Sequence, residues 1–163
     1  MGHTIKTSTK LKRAFKRLGI ELHKRRTNLY KFEFGQLYML LSVDEELKRY
    51  AIVIPIIDIA DSLNKQMFEA IMESLENTYK NYSGYWNDSV PFIVSPHYSI
   101  DDDDGNTDWL WGRLKVAINV FAFVEGWIYV FSDPEHLRTM GFPEFAEKLA
   151  EYNKANERPA NVI

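Results

Sequence analysis

Apolar residues recur along this chain first at a spacing near 3.6 and then at a spacing of two. Leu11, Ala14, Phe15 and Leu18 fall at i, i+3, i+4 and i+7, with Lys10, Lys12, Arg13, Lys16 and Arg17 around the other side. That is an amphipathic helix. Thr7-Ser8-Thr9 offer N-cap hydroxyls, and Gly19 stands where a helix-ending glycine belongs. The period then changes. Tyr30, Phe32 and Phe34 alternate with Lys31 and Glu33, which predicts a half-buried strand, and Gly35-Gln36 turns it into Leu37–Val43. Asp44-Glu45-Glu46-Leu47-Lys48 turns the chain again into Tyr50–Ile57, completing a three-stranded antiparallel meander. Pro55 belongs at a strand edge or end, since it cannot donate to a ladder.

A second helix is predicted from a cap at Asp61 or Ser62, with Leu63, Met67, Phe68, Ile71, Met72, Leu75, Tyr79 and Tyr82 as its apolar stripe. Asn81–Ser89 reads as a turn-rich loop carrying Tyr85 and Trp86. Pro91–Ile100 reads as a strand stopped by Asp101-Asp102-Asp103-Asp104-Gly105. Residues 107–132 support two readings. As a helix, Asp108, Gly112, Lys115, Asn119, Ala122, Gly126 and Tyr129 share one polar or small stripe. As a strand, Leu110, Leu114, Val116, Ile118 and Val120 alternate with Trp109, Trp111, Arg113, Lys115 and Asn119. The length of the stripe favours a helix. Asp133-Pro134-Glu135 restarts a short helical turn, and Phe145, Leu149 and Tyr152 mark a final small helix before a frayed tail at residues 157–163. The expected fold is a single α+β domain over residues 1–163: N-terminal helix, antiparallel β-meander, helix, strand, long C-terminal helix and a short extra helix, or α-βββ-α-β-α.

Charge changes the picture in one place. Residues 1–31 hold ten lysines and arginines against Glu21 alone, a local charge of +9, which leaves −12 for the remainder of a chain whose net charge is −3. Such asymmetry marks either a surface for nucleic acid or an acidic partner, or a basic helix lying on an acidic body. Lys12, Arg13, Lys16, Arg17, Lys24, Arg25 and Arg26 are the candidate contacts. Strong nucleic-acid binders carry an overall basic domain, so nucleic acid is the weaker expectation. There is no cysteine, which removes disulfides, thiolate metal sites and cysteine nucleophiles and fits a reducing, cytoplasmic setting. Met1–Lys6 lacks the apolar core of a secretory signal, and Val116–Phe131 is broken by Asn119, Glu125 and Gly126, so no membrane span is expected.

Motifs for chemistry are sparse. With Gly105 as the sixth residue of a calcium loop, the first and twelfth would be Ile100 and Trp111, neither of which supplies a carboxylate. The histidines His3, His23, His97 and His136 form no two-histidine metal spacing. His97 lies between Ser95 and Ser99, which strand alternation would place on one face, but no nucleophile-elbow motif accompanies them. No glycine pattern cradles phosphate. No cofactor or metal is therefore expected. Tyr85, Trp86, Trp109, Trp111 and Trp127 are either core or an aromatic partner surface.

Leu18-Gly19-Ile20-Glu21, Tyr30-Lys31-Phe32-Glu33-Phe34-Gly35, Leu41-Ser42-Val43-Asp44, Ile54-Pro55 and Asp101–Gly105 carry a resemblance. Over roughly residues 10–131 the chain resembles the type III secretion chaperone-like superfamily, and within it the YbjN-type family of bacterial sensory-transduction regulators. The departure is that members usually place a further strand before the last long helix, where here almost nothing follows Gly105. The resemblance implies a noncatalytic, often dimeric binding protein and assigns no functional residue. The resulting expectation is a protein-binding module, chaperone-like or regulatory, forming a homodimer. Binding of nucleic acid or an acidic partner through the basic N-terminal region is the alternative.

Overall fold

The computed structural model describes residues 5–56, 65–87, 90–100, 106–131, 133–139, 141 and 143–155. The expected cap at Asp61 or Ser62, Leu63, the Asp101–Gly105 turn and the tail from 157 lie outside them. Helix α1 (Thr7–Arg17) leads into strands β1 (His23–Arg26), β2 (Leu29–Phe34), β3 (Leu37–Asp44) and β4 (Arg49–Pro55). Helix α2 (Lys65–Thr78), strands β5 (Ser83–Asn87), β6 (Val90–Val94) and β7 (Tyr98–Ser99) follow. Then come helices α3 (Asp108–Phe131), α4 (Pro134–Thr139) and α5 (Pro143–Ala155). The strands form one antiparallel sheet in the order β1-β2-β3-β4-β6-β5, with β7 also paired to β4. The expected α+β layout is present: an N-terminal helix, an antiparallel sheet and a long C-terminal helix.

The first helix ends as its sequence dictates and begins differently. Ile20 N–H reaches the Phe15 carbonyl (2.9 Å) and Gly19 N–H the Lys16 carbonyl (3.0 Å). With Gly19 at φ +76°, this is the paired-bond closure that needs a left-handed residue. At the other end Lys6 is the cap residue and makes no side-chain cap bond. The expected hydroxyl cap is replaced. Thr7 and Ser8 lie inside the helix, and the Glu45 carboxylate accepts from Ser8 N (3.0 Å) and Ser8 Oγ (3.2 Å). A carboxylate from the β3–β4 turn thus satisfies an end-of-helix donor and suits the positive pole of the helix.

The meander is built as alternation requires. Tyr30 faces Leu41, Phe32 faces Met39, Leu41 faces Ile52 and Val43 faces Tyr50. Gly35 (φ +60°) and Gln36 (φ +65°) make the two-residue β2–β3 turn, where two positive φ angles match the strand twist. A side chain on Gly35 would also strike Ile118 of α3.

Two parts of the sheet differ from the sequence reading. Residues 83–87 are a strand, not a loop. Gly84 leaves room for Met72 of α2, so helix and strand approach closely, and β5 pairs with β6 from Ser83↔Val94 to Asn87↔Val90. The Pro91–Ile100 strand is interrupted. Val53 pairs Val94, but Tyr50 pairs Tyr98, so one extra residue is held between β6 and β7. Pro96 has no N–H for the ladder, and Ser95 repairs the gap: its N–H donates to the Ile52 carbonyl (2.9 Å) and its Oγ accepts from Ile52 N–H (2.8 Å). This bulge resets the alternation. Ser95 is buried and His97 exposed, so the expected common face for Ser95, His97 and Ser99 is not formed. A fourth strand, β1, precedes the expected meander.

Residues 108–131 are helical. Leu110, Leu114, Ala117, Val120, Val124 and Ile128 are buried as one stripe, and the polar stripe from Asp108 to Tyr129 faces outward. Its β-branched content is outweighed by that continuous burial. No helix is long and apolar enough to cross a membrane among the described residues.

Candidate partner-binding surface

Helix contacts fall on one face of the sheet. Phe15 of α1 meets Phe32 edge-on (4.9 Å between ring centres), Phe68 of α2 meets Trp86 (5.4 Å), and Trp111 of α3 meets Phe34 (5.2 Å). Arg113 of α3 reaches the same face at β4 and β7. Its guanidinium lies 4.3 Å from the Tyr98 ring centre and donates to Tyr50 Oη (2.8 Å) and the Ser99 carbonyl (3.0 Å). Tyr82 is buried close to Tyr98 without a well-aligned hydrogen bond at its hydroxyl. Burial, and secondarily the Tyr98 and Tyr79 phenols, push its pKa far above the ordinary value.

The helix contacts just described leave the opposite face of the sheet open except at one end, where Phe121 and Glu125 of α3 line a cleft of about 600 Å³ with Tyr38, Leu40 and Pro55. Register assigns Leu40, Val53 and Val94 to one row across it, and Tyr38, Pro55, Phe92 and Tyr85 to the next. Tyr38 is 56% exposed, Tyr85 52% and Val90 44%, while Leu40, Val53, Pro55, Phe92 and Val94 are half-buried. Tyr85 stacks on Phe92 at 5.5 Å. An antiparallel sheet with one solvated face normally reads polar outward, so this band is unusual for a surface that stays in water.

Beside this face lies the basic edge. All four residues of β1, His23-Lys24-Arg25-Arg26, are exposed. His23 pairs Lys31 and Arg26 pairs Leu29, on the open side, whereas Lys24 pairs Tyr30 on the helix side, with an irregularity at Arg25. Lys12 lies over the Tyr30 ring (5.2 Å), which brings it to Lys24, and Lys31 lies over the Tyr38 ring (4.4 Å). Lys6, Lys12, Lys24 and Lys48 line one cleft of about 540 Å³ with Glu45.

The structure therefore unites Lys12, Lys24, Arg25 and Arg26 around β1, with Arg13, Lys16 and Arg17 exposed along α1. It separates Tyr85, on the open face, from Trp86, which is half-buried against α2. Trp109 packs in the Arg113 cluster at 5.6 Å, and Trp127 is half-buried, so the five aromatic candidates share no single exposed cluster. Sequence reasoning missed Lys48, Lys6, Tyr38 and Leu40. The alternation of Tyr38 and Leu40 with Met39 and Leu41 is the signal that was available for the last two. The Ser95 hydroxyl donates to the Pro96 carbonyl (2.9 Å) besides serving Ile52, so it is committed to the backbone. Among the described residues no group of three or more histidines and carboxylates is placed to hold a metal. No protein-family model matches the chain, and no curated protein or solved structure is detectably similar to it.

Proposed function

We propose that the protein is a noncatalytic protein-binding module, chaperone-like or regulatory, that takes its partner on the open sheet face. The observation that supports this reading is the apolar band of Tyr38, Leu40, Val53, Pro55, Phe92 and Tyr85 on the face opposite the helix contacts. Exposed aromatic and aliphatic groups on a rigid sheet gain most from a partner that removes them from water, at about 25 cal/mol per Å² covered. The resemblance to the YbjN-type family supports the same reading. A cytoplasmic setting belongs to the proposal on the absence of cysteine.

A homodimer belongs to it as well. Strand β5 pairs only β6 among the described residues and carries no charge or proline (Ser83-Gly84-Tyr85-Trp86-Asn87), so a second copy can add at that edge. The basic β1 edge repels its own copy. Light scattering is expected to give twice the chain mass, reduced to one by Tyr85→Lys.

The test of the reading is affinity purification of the tagged full chain from its own cells, beside Leu40→Glu/Phe92→Glu. A protein recovered stoichiometrically with the wild type and lost with the variant supports it. Equal recovery by both, or recovery of nucleic acid alone, refutes it.

A further inference from the structure

Strand β1 is an edge with cations on both sides of it. On the helix side Lys24 meets Lys12, Lys6 and Lys48 in the first cleft. On the open side a second cleft of about 570 Å³ is lined by His23, Arg25, Lys31 and Tyr38, and Lys24 lines both. Three carboxylates share these clefts, and Glu125 of α3 lines an adjoining one with Arg25 and Lys31. Glu45 is committed to Ser8, Glu21 lies 3.9 Å from His23, and Glu33 lies beside Tyr38 in register. Among the described residues no carboxylate pairs with Lys24, Arg25 or Arg26. β1 itself pairs only with β2 there, which leaves its outer backbone N–H and C=O groups to solvent.

Positive charge and an irregular ladder are how proteins discourage strand addition. Here that protection is selective. It excludes a second β1 by like charge and gives a neutral strand nothing to offset, but it attracts a strand of opposite sign. From this charge complementarity we infer that the β1 edge receives an extended, acidic polypeptide segment of the partner as an added strand. The inference rests on the protein-binding reading and names the partner's chemistry. Side chains of an added strand alternate in direction, so its acidic groups meet Lys12, Lys24 and Lys48 on one side and Arg25 and Lys31 on the other. Apolar groups on the open side continue onto Tyr38 and Leu40. A nucleic acid would satisfy the same cations but has no amide groups for the edge.

The probe is a fluorescein-labelled peptide repeating Glu-Glu-Val, which puts glutamates on both faces of an extended strand, titrated into the full chain by fluorescence anisotropy. Binding is expected, weakening as salt rises. A glutamine-for-glutamate peptide and one with proline at alternate positions, which removes edge-facing N–H groups, should each bind at least about tenfold more weakly. Arg25→Glu/Arg26→Glu should lose binding to a similar extent with its thermal unfolding unchanged. Should that variant not fold, Arg25→Gln/Arg26→Gln replaces it, and the proline peptide tests strand addition on the wild type. No binding, equal binding of the proline peptide, or tighter binding of a single-stranded DNA oligomer overturns the inference. If the peptide fails while Leu40→Glu/Phe92→Glu still loses a captured protein that Arg25→Glu/Arg26→Glu retains, the inference alone falls and the binding reading stands.

Discussion

Replacing Ser95 by alanine removes one oxygen and leaves the Ile52 N–H buried without an acceptor. Ser95 is 3% exposed and Ile52 fully buried, so water cannot take over the 2.8 Å bond. An orphaned buried donor costs about 1–3 kcal/mol, whereas the missing atom leaves little cavity. The expected loss is about 2 kcal/mol, which for a chain of this size lowers Tm by about 4–8 °C. Urea denaturation should show a lower midpoint with an unchanged slope, because the surface exposed on unfolding is the same. Amide exchange should locate the effect: Ile52 loses protection first, while Leu41 and Ile54 keep theirs until global unfolding. A loss below about 0.5 kcal/mol, or an Ile52 amide as protected as before, would refute the claim that the hydroxyl repairs the bulge.

Arg113→Lys should cost nearly as much as Arg113→Ala, about 1–3 kcal/mol by chemical denaturation, because an ammonium cannot both stack on Tyr98 and reach Tyr50 and Ser99. Glu45→Ala should cost about 0.5–2 kcal/mol in thermal unfolding through loss of the Ser8 contacts, with Glu45→Gln in between. Tyr82→Phe should be neutral or stabilising at neutral pH, since it removes a buried hydroxyl that lacks a well-aligned bond. The raised Tyr82 pKa gives the sign of an alkaline effect. Its phenol stays protonated in the folded chain and ionises in the unfolded one above about pH 10, so wild-type stability falls as pH rises there. Unfolding measured against pH should show a shallower alkaline fall in Tyr82→Phe.

The elements legible in the sequence are those whose burial is one-sided. Leu11, Ala14 and Phe15 predict α1, and Tyr30 and Phe32 the core face of β2, because each periodicity has one wet side; β3 is apolar on both faces from Tyr38 to Leu41, so its pattern reads as a strand without telling which face is open. Strand β1 has no such signal: His23-Lys24-Arg25-Arg26 is exposed on every residue, and only pairing with β2 makes it a strand. β5 was hidden by Ser83 and Gly84, which read as turn residues, whereas the bare Cα of Gly84 here admits Met72 and Phe68 of α2. The bulge at Ser95 depends on Ile52, which is distant in sequence. The same holds for the candidate surface. Each cation is visible alone, but the meeting of Lys12, Lys24 and Lys48 requires α1, β1 and the β3–β4 turn to be assembled.

The central claim is that a protein partner covers the open sheet face. Hydrogen–deuterium exchange on this chain, alone and in the complex recovered from its own cells, tests it most directly. The account predicts new protection in residues 37–42, 51–55 and 90–94, extending to 23–26 if the partner also supplies the added strand. Protection confined to the outward stripe of α3 and to α5, with the sheet exchanging as in the unbound chain, would contradict it.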